Sequence, residues 1–206
     1  MELVCPAGSL PALKAAVDHG ANCVYLGLRD ATNARNFAGL NFDEAAIAQG
    51  IDHAHARGCK VFMALNTYPQ AANPGPWRSA LDKAVDLGVD AVILADPGLM
   101  HYAVQHHPRL RLHLSVQGSA TNYEAINFYR EQFGIVRAVL REALRQCCLV
   151  GKFKIQRSGP RQTCSVPIAS VRSPTCVISA SCCRRRVTHC RVGICCSRGS
   201  TTISWP

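Results

Sequence analysis

Four glycines, Gly20, Gly58, Gly88 and Gly134, each close a stretch of helically spaced apolar residues and stand a few positions ahead of a short apolar run. Glycine ends helices there because it takes the left-handed backbone without a Cβ clash. The runs that follow, residues 23–26, 60–66, 90–96 and 135–140, read as strands. Residues 2–5 precede the first helix and residues 111–117 precede the last. The chain therefore predicts six strands alternating with five helices. Strand and helix alternating at spacings of about 20 to 40 residues imply a parallel sheet with right-handed crossovers.

The pattern is densest between Arg111 and Tyr129. Leu112, Leu114 and Val116 alternate with Arg111, His113, Ser115 and Gln117, the period of two of a strand. A small polar turn follows, and Thr121 with Glu124 has the spacing of a capping box. Ala125, Phe128, Tyr129 and Phe133 then recur at helical intervals. Earlier in the chain, Ser9 is placed to cap the first helix, and Asn41 with Glu44 the second. Between them lies a long polar loop, residues 27–41, of a length often tied to function.

An open doubly wound sheet and most of an eight-stranded barrel both fit this order. The first turn, Cys5-Pro6-Ala7-Gly8-Ser9, lacks the glycine spacing of a dinucleotide fold. The fold class expected is α/β, an incomplete parallel (β/α) TIM-barrel-like fold of about six strands followed by an irregular tail.

Charge and cysteine both divide the chain near Gln146. Residues 1–146 carry 13 Lys and Arg against 13 Asp and Glu, whereas residues 147–206 carry 10 Lys and Arg and no acid. Three cysteines, Cys5, Cys23 and Cys59, fall in the first part and nine in the second. The domains expected are thus a partial barrel at 1–146 and an aberrant Arg/Ser/Cys-rich tail at 147–206. An acid-free tail binds polyanions nonspecifically, so the net charge of +10 does not by itself indicate a nucleic-acid partner. No run approaches the eighteen apolar residues of a membrane span, and the N-terminus lacks a signal-peptide pattern, so a cytoplasmic location is expected.

In a barrel, residues at strand C-termini converge on one mouth. The candidates there are Asn33 and Arg35 after the second strand, Asn66 after the third, Asp96 after the fourth, and Gln117 and Asn122 after the fifth. These are mostly amides, which orient planar, oxygen-rich ligands, and none is an evident nucleophile. Asn and Asp also end strands and start turns for purely structural reasons. Arg35, in a loop of small residues, is either solvated or gripping a carboxylate. His53, His55, His101, His106 and His107 fit solvated helix positions, and Cys5 fits a small buried hydrophobe. In the tail, Cys176 and Cys183 have six residues between them, a spacing seen in cluster proteins, although nine cysteines in sixty residues produce such matches by chance.

The segments MELVCPAGSLPALKAAVDHGANCVYLGL, TNARNFAGLNF, ALNTYP, AVILADPGLM and LHLSVQGSATNYEAINFY resemble the N-terminal part of the collagenase-like peptidase family. The second and last are especially similar to its ubiquinone-biosynthesis, UbiU-like branch. The resemblance runs from Met1 to about Leu140. It implies a barrel-like fold, a [4Fe-4S] cluster on four cysteines and a UbiV-like sister protein as partner. It also implies oxygen-independent hydroxylation of the ubiquinone precursor ring, with prephenate a plausible oxygen donor; relatives hydroxylate RNA bases. Asn33, Arg35, Asn66, Gln117 and Asn122 lie in the matching segments and carry over as ligand-pocket candidates. Cluster cysteines in such proteins follow the sixth strand, in Gly-Ser-Leu-Cys and Glu-Gly-Arg-Cys stretches that do not occur here. The departure near Arg141 leads to the expectation of a reading-frame change close to codons 140 to 147, with an open sheet edge and no hydroxylation by the chain as written.

Overall fold

A computed structural model describes residues 2–140 and three short strands beyond them, Gln156–Ser158, Thr163–Ser165 and Thr201–Ser204. The expected boundary at residues 146 and 147, and both Cys176 and Cys183, lie outside the described residues.

Six parallel strands form a curled half-barrel: β1 (Val4–Pro6), β2 (Cys23–Gly27), β3 (Lys60–Leu65), β4 (Ala91–Leu94), β5 (Leu112–Leu114) and β6 (Arg137–Leu140). Helices α1 (Leu10–Asp18), α2 (Glu44–His55), α3 (Gly75–Asp86), α4 (Pro97–His106) and α5 (Tyr123–Phe133) connect them. Spatial order follows chain order from β1 to β6. A doubly wound sheet would reverse direction at a switch point, so this order selects the barrel architecture.

Alternation along the strands assigns the two faces. Val24, Leu26, Val61, Met63, Leu65, Val92, Leu94, Leu112, Leu114 and Ala138 are buried in one core with Leu13, Ile47, Ile51, Leu81 and Met100 from the helices. The alternate positions Cys23, Phe62 and Ala91 form a second, smaller cluster with Val4, Tyr25 and Ile93. These residues line the lumen side of the sheet. Each fully buried Leu, Ile or Met of the outer core is worth about 1.5–3 kcal/mol, so the helix-facing layer dominates stability.

Gly20, Gly58, Gly88 and Gly134 all take positive φ, as their position after helices requires. Three local expectations are corrected. Asp43, rather than Asn41, caps α2, its carboxylate accepting from Ala46 N at 2.8 Å; Asn41 instead adopts φ +74° and sends its amide elsewhere. Asn122, rather than Thr121, caps α5, accepting from Ala125 N at 2.8 Å. The fifth strand stops at Leu114 and a 3-10 turn, Val116–Gly118, replaces its expected end. There the Ser115 hydroxyl accepts from Gln117 N at 3.2 Å, and this local bond competes with extension of the ladder.

The sheet edges also differ from expectation. The far edge of β6 is covered by β9 (Thr201–Ser204), antiparallel, with Ala138 opposite Ile203; β7 (Gln156–Ser158) and β8 (Thr163–Ser165) make a separate antiparallel pair. Among the described residues the outer edge of β1 has no strand partner.

Candidate functional site at the half-barrel mouth

The loop between β2 and α2 dominates the mouth, and its backbone is folded on itself. Its ends are zipped by Phe42 N to Gly27 O at 3.2 Å and Arg29 N to Phe42 O at 3.1 Å, and Asn41 N binds Gly8 O at 2.8 Å. Asp30 accepts from the Thr32 amide and hydroxyl at 2.8 and 2.6 Å, forming an Asx turn. The next loop is stitched to it: the Thr67 hydroxyl donates to Ala31 O at 2.6 Å and accepts from the Trp77 indole at 2.9 Å.

Each amide and guanidinium singled out in the sequence has a definite place. Asn33 is 6% exposed; its Nδ2 donates to Asn41 Oδ1 at 3.1 Å and Leu28 O at 3.4 Å, while its Oδ1 accepts from Arg35 N at 3.1 Å. Asn66 Oδ1 accepts from Ala34 N at 3.0 Å, joining the loops after β2 and β3. Gln117 contributes its carbonyl, which accepts from the Tyr68 hydroxyl at 2.8 Å, and so joins the loops after β3 and β5. Asn122 is used as the α5 cap and Asp96 as the α4 cap, the latter accepting from Leu99 N at 2.7 Å. Asn33, Arg35, Asn66 and Gln117 are thus brought into one connected rim, whereas the Asn122 side chain faces its own helix.

Arg35 alone of these points a charged group at the lumen. One guanidinium nitrogen donates to the Tyr25 hydroxyl at 3.4 Å, and among the described residues it makes no ion pair. Tyr25 packs on the lumen cluster of Phe62, its register partner on β3, so the guanidinium reaches the edge of that aromatic layer. Nearby loops expose apolar side chains, with Phe37 60% exposed and Tyr68 51%.

The lower lumen contains residues that the sequence reading did not select. The ring of His113 meets the Phe62 ring edge-on at 4.7 Å, and the guanidinium of Arg137 lies 5.4 Å from the same ring centre. Burial, with the positive charges of Arg137, Arg111 and Lys60, holds the His113 imidazole well below its ordinary range, so it is neutral at physiological pH. Its nitrogens have no hydrogen-bond partner among the described residues, although it is only 5% exposed. Arg137 pairs with Glu2, whose other oxygen accepts from the Cys23 thiol at 2.9 Å. Strict alternation places His113 and Arg137 on the lumen side, but only the registers His113 to Ile93 and His113 to Arg137 bring them together.

Three of the other histidines bridge neighbouring elements through carboxylates. His53 contacts Asp18 at 2.9 Å, His55 contacts Asp90 at 2.9 Å, and His107 contacts Asp82 at 2.7 Å.

A four-cysteine cluster does not fit the described residues. No group of three or more His, Cys, Asp or Glu among them is arranged to hold a metal ion. Burial raises the Cys5, Cys23 and Cys59 thiols away from the thiolate that iron ligation needs, Cys59 to about 11. Hydroxyls at the mouth are engaged without a histidine beside them: Ser115 with Gln117 N, Thr67 with Ala31 O and Trp77, Ser119 with Gln117 O.

Residues 8–147 match the model of peptidase family U32. The chain belongs to peptidase family U32. It is 35% identical over 144 residues to tRNA hydroxylation protein P of Escherichia coli (strain K12), covering 69% of this chain and 31% of that protein. It is 30% identical over 141 residues to a collagenase of Porphyromonas gingivalis (strain ATCC BAA-308 / W83), covering 68% of this chain and 33% of the relative. The chain therefore spans about a third of the length of these curated relatives. The U32 peptidase Mk0906 shares the fold, with a TM-score of 0.57 at 20% identity, over 70% of this chain and 60% of that one. Among the described residues no helix is long and apolar enough to cross a membrane.

Proposed function

We propose that this chain carries the substrate-gripping half of a U32 hydroxylating barrel, acting in the cytoplasm on the ubiquinone precursor ring together with a UbiV-like sister protein. The observation that carries the reading is the mouth itself: a hydrogen-bonded rim of amides around an arginine that has no acidic partner among the described residues, above a lumen lined by aromatic rings. The amide bonds hold the loop, the arginine would hold an anionic substituent and the rings a planar ligand, and these groups supply no nucleophile. Arg35 grips a carboxylate, as prephenate in the role of oxygen donor would present, and the ring lies against Tyr25 and Phe62. His113, neutral and buried, offers a hydrogen bond at the lumen floor. A [4Fe-4S] cluster would supply the redox chemistry, and Cys5, Cys23 and Cys59 do not fit it.

The similarity to tRNA hydroxylation proteins supports hydroxylation and brings in an RNA base as the alternative substrate. The collagenase relative supports a peptidase reading, which requires a nucleophile next to a base. Co-expression of the chain with a UbiV-like protein, in cells lacking their own anaerobic ring hydroxylation, separates the three. Chromatography and mass spectrometry would follow quinone intermediates and tRNA nucleosides together, with a peptide substrate assayed on the purified chain. The chain as written is expected to yield no hydroxylated product, and hydroxylated quinone precursor that disappears in Arg35→Ala is expected only once a cluster-ligating continuation after the sixth strand is supplied. Hydroxylated nucleosides alone would move the substrate to RNA, and peptide cleavage without either product would sink the hydroxylation reading.

A further inference from the structure

We propose that Asn41, acting with Asn33, is a positioning residue that sets the Arg35 guanidinium over the lumen. The inference rests on the ligand-gripping role proposed for Arg35 and deepens it, because it says what holds that group in place.

Both asparagines are buried, at 9% and 6% exposure, in a loop whose neighbouring residues 35–40 are exposed. Buried amides in a surface loop are retained where their hydrogen bonds fix something. Here they enclose one residue. Asn41 Nδ2 donates to Arg35 O at 2.8 Å, Arg35 N donates to Asn33 Oδ1 at 3.1 Å, and the two amides are joined by Asn33 Nδ2 to Asn41 Oδ1 at 3.1 Å. Arg35 is therefore held at its amide and its carbonyl at once, leaving the side chain as its free part. That side chain turns back to the Tyr25 hydroxyl of β2.

Two further features serve the same clasp. Asn41 takes φ +74°, a conformation Asn tolerates better than other side chains apart from glycine, which aims its amide inward. Gly27, at the end of β2, leaves room for Asn33: a Cβ there would stand 2.2 Å from Asn33 Nδ2. The clasp thus joins strand end, loop and the arginine into one unit. A loop of this length left to itself would carry the Arg35 backbone through many positions, and ordering it before a ligand arrives spares the ligand that entropy.

The test uses the full chain with Asn41→Gly, which keeps the positive φ and removes only the side chain, and with Asn33→Ser. The readout is the rate at which phenylglyoxal modifies Arg35, followed by peptide mapping, with Arg57 and Arg78 as internal references and benzoate as a carboxylate probe. Arg35 is expected to react about fivefold faster in both variants, the change that loss of one ordinary hydrogen bond produces. Reference rates stay unchanged, and the thermal midpoint falls by only about 2–8 °C. An unchanged Arg35 rate in both variants would overturn the proposal, as would a rise shared by Arg57 and Arg78, which would mean general loosening. Failure of benzoate to protect Arg35 in the unsubstituted chain would instead count against the ligand-gripping role, while the variant rates still decide the positioning.

Discussion

The pair formed by Glu2 and Arg137 ties the first strand to the sixth across the lumen, and replacing Glu2 by Gln tests whether that tie holds the half-barrel together. Glu2 precedes β1 and Arg137 opens β6, so 135 positions separate the partners in sequence. Their side chains retain 20% and 13% of their exposure, so most of the charge on each is removed from water. Removing one member of a buried pair costs about 3–5 kcal/mol because the other charge is stranded. The residual exposure and the retained amide oxygen, which still accepts from the Cys23 thiol, reduce this to about 2 kcal/mol for Glu2→Gln. Arg137→Met removes the cation and its contact with the Phe62 ring and is expected to cost about as much. The two changes combined cost less than their sum, with a coupling of about 1–2 kcal/mol, because the double variant strands no charge. Urea unfolding followed through the fluorescence of buried Trp77 measures all four corners of the cycle. Additivity within about 0.5 kcal/mol would refute the tie and leave packing alone to close the lumen.

Burial keeps the His113 proton off in the folded state, whereas the unfolded chain takes it up near its ordinary value of about 6.5. Stability from this source is full above that value and falls as pH drops below it, by up to about 1.4 kcal/mol per unit; urea midpoints at three pH values in the unsubstituted chain and in His113→Gln should diverge on the acid side. Burial raises the Cys59 thiol to about 11, and burial with the Glu2 hydrogen bond raises Cys23 further. Peptide mapping after iodoacetamide treatment at pH 8 should therefore find Cys5 alkylated first of these three, and equal rates would contradict the packing around β2. Gly118→Ala places a Cβ 2.6 Å from Leu114 Cδ1 and 3.6 Å from Ala95 O. Leu114 is fully buried, so a loss of about 1–3 kcal/mol is expected in the same urea assay.

The strand and helix order was legible in the sequence because its signals are local. Apolar period, cap residues and helix-closing glycines act within a few positions of where they stand, and Ser9, Gly20, Gly58, Gly88 and Gly134 fall where such chemistry puts them. The errors were local competitions of nearly equal strength. Asn41 and Asp43 both suit a cap, and the carboxylate took the Ala46 amide while the amide went to Arg35. Ser115 and Gln117 continued an alternating pattern but made a turn instead.

By itself the sequence determined the type and order of the elements, the family motifs and the set of amides at the strand ends. Only the tertiary structure decided what those amides touch. Asn33 and Asn66 spend their oxygens on the backbone of the loop holding Arg35, and Arg35, like Arg29 of the same loop, has no acidic partner among the described residues; Arg29 donates to the Asn41 carbonyl and Arg35 turns to the Tyr25 hydroxyl. Nothing in the alternation Arg111, His113, Ser115 marks His113 as the neutral, unpartnered group of the lumen. That follows from parallel register, which sets β5 beside β6 and brings Phe62 across the small Ala91, so that long-range packing rather than local periodicity fixes the environment of each polar side chain.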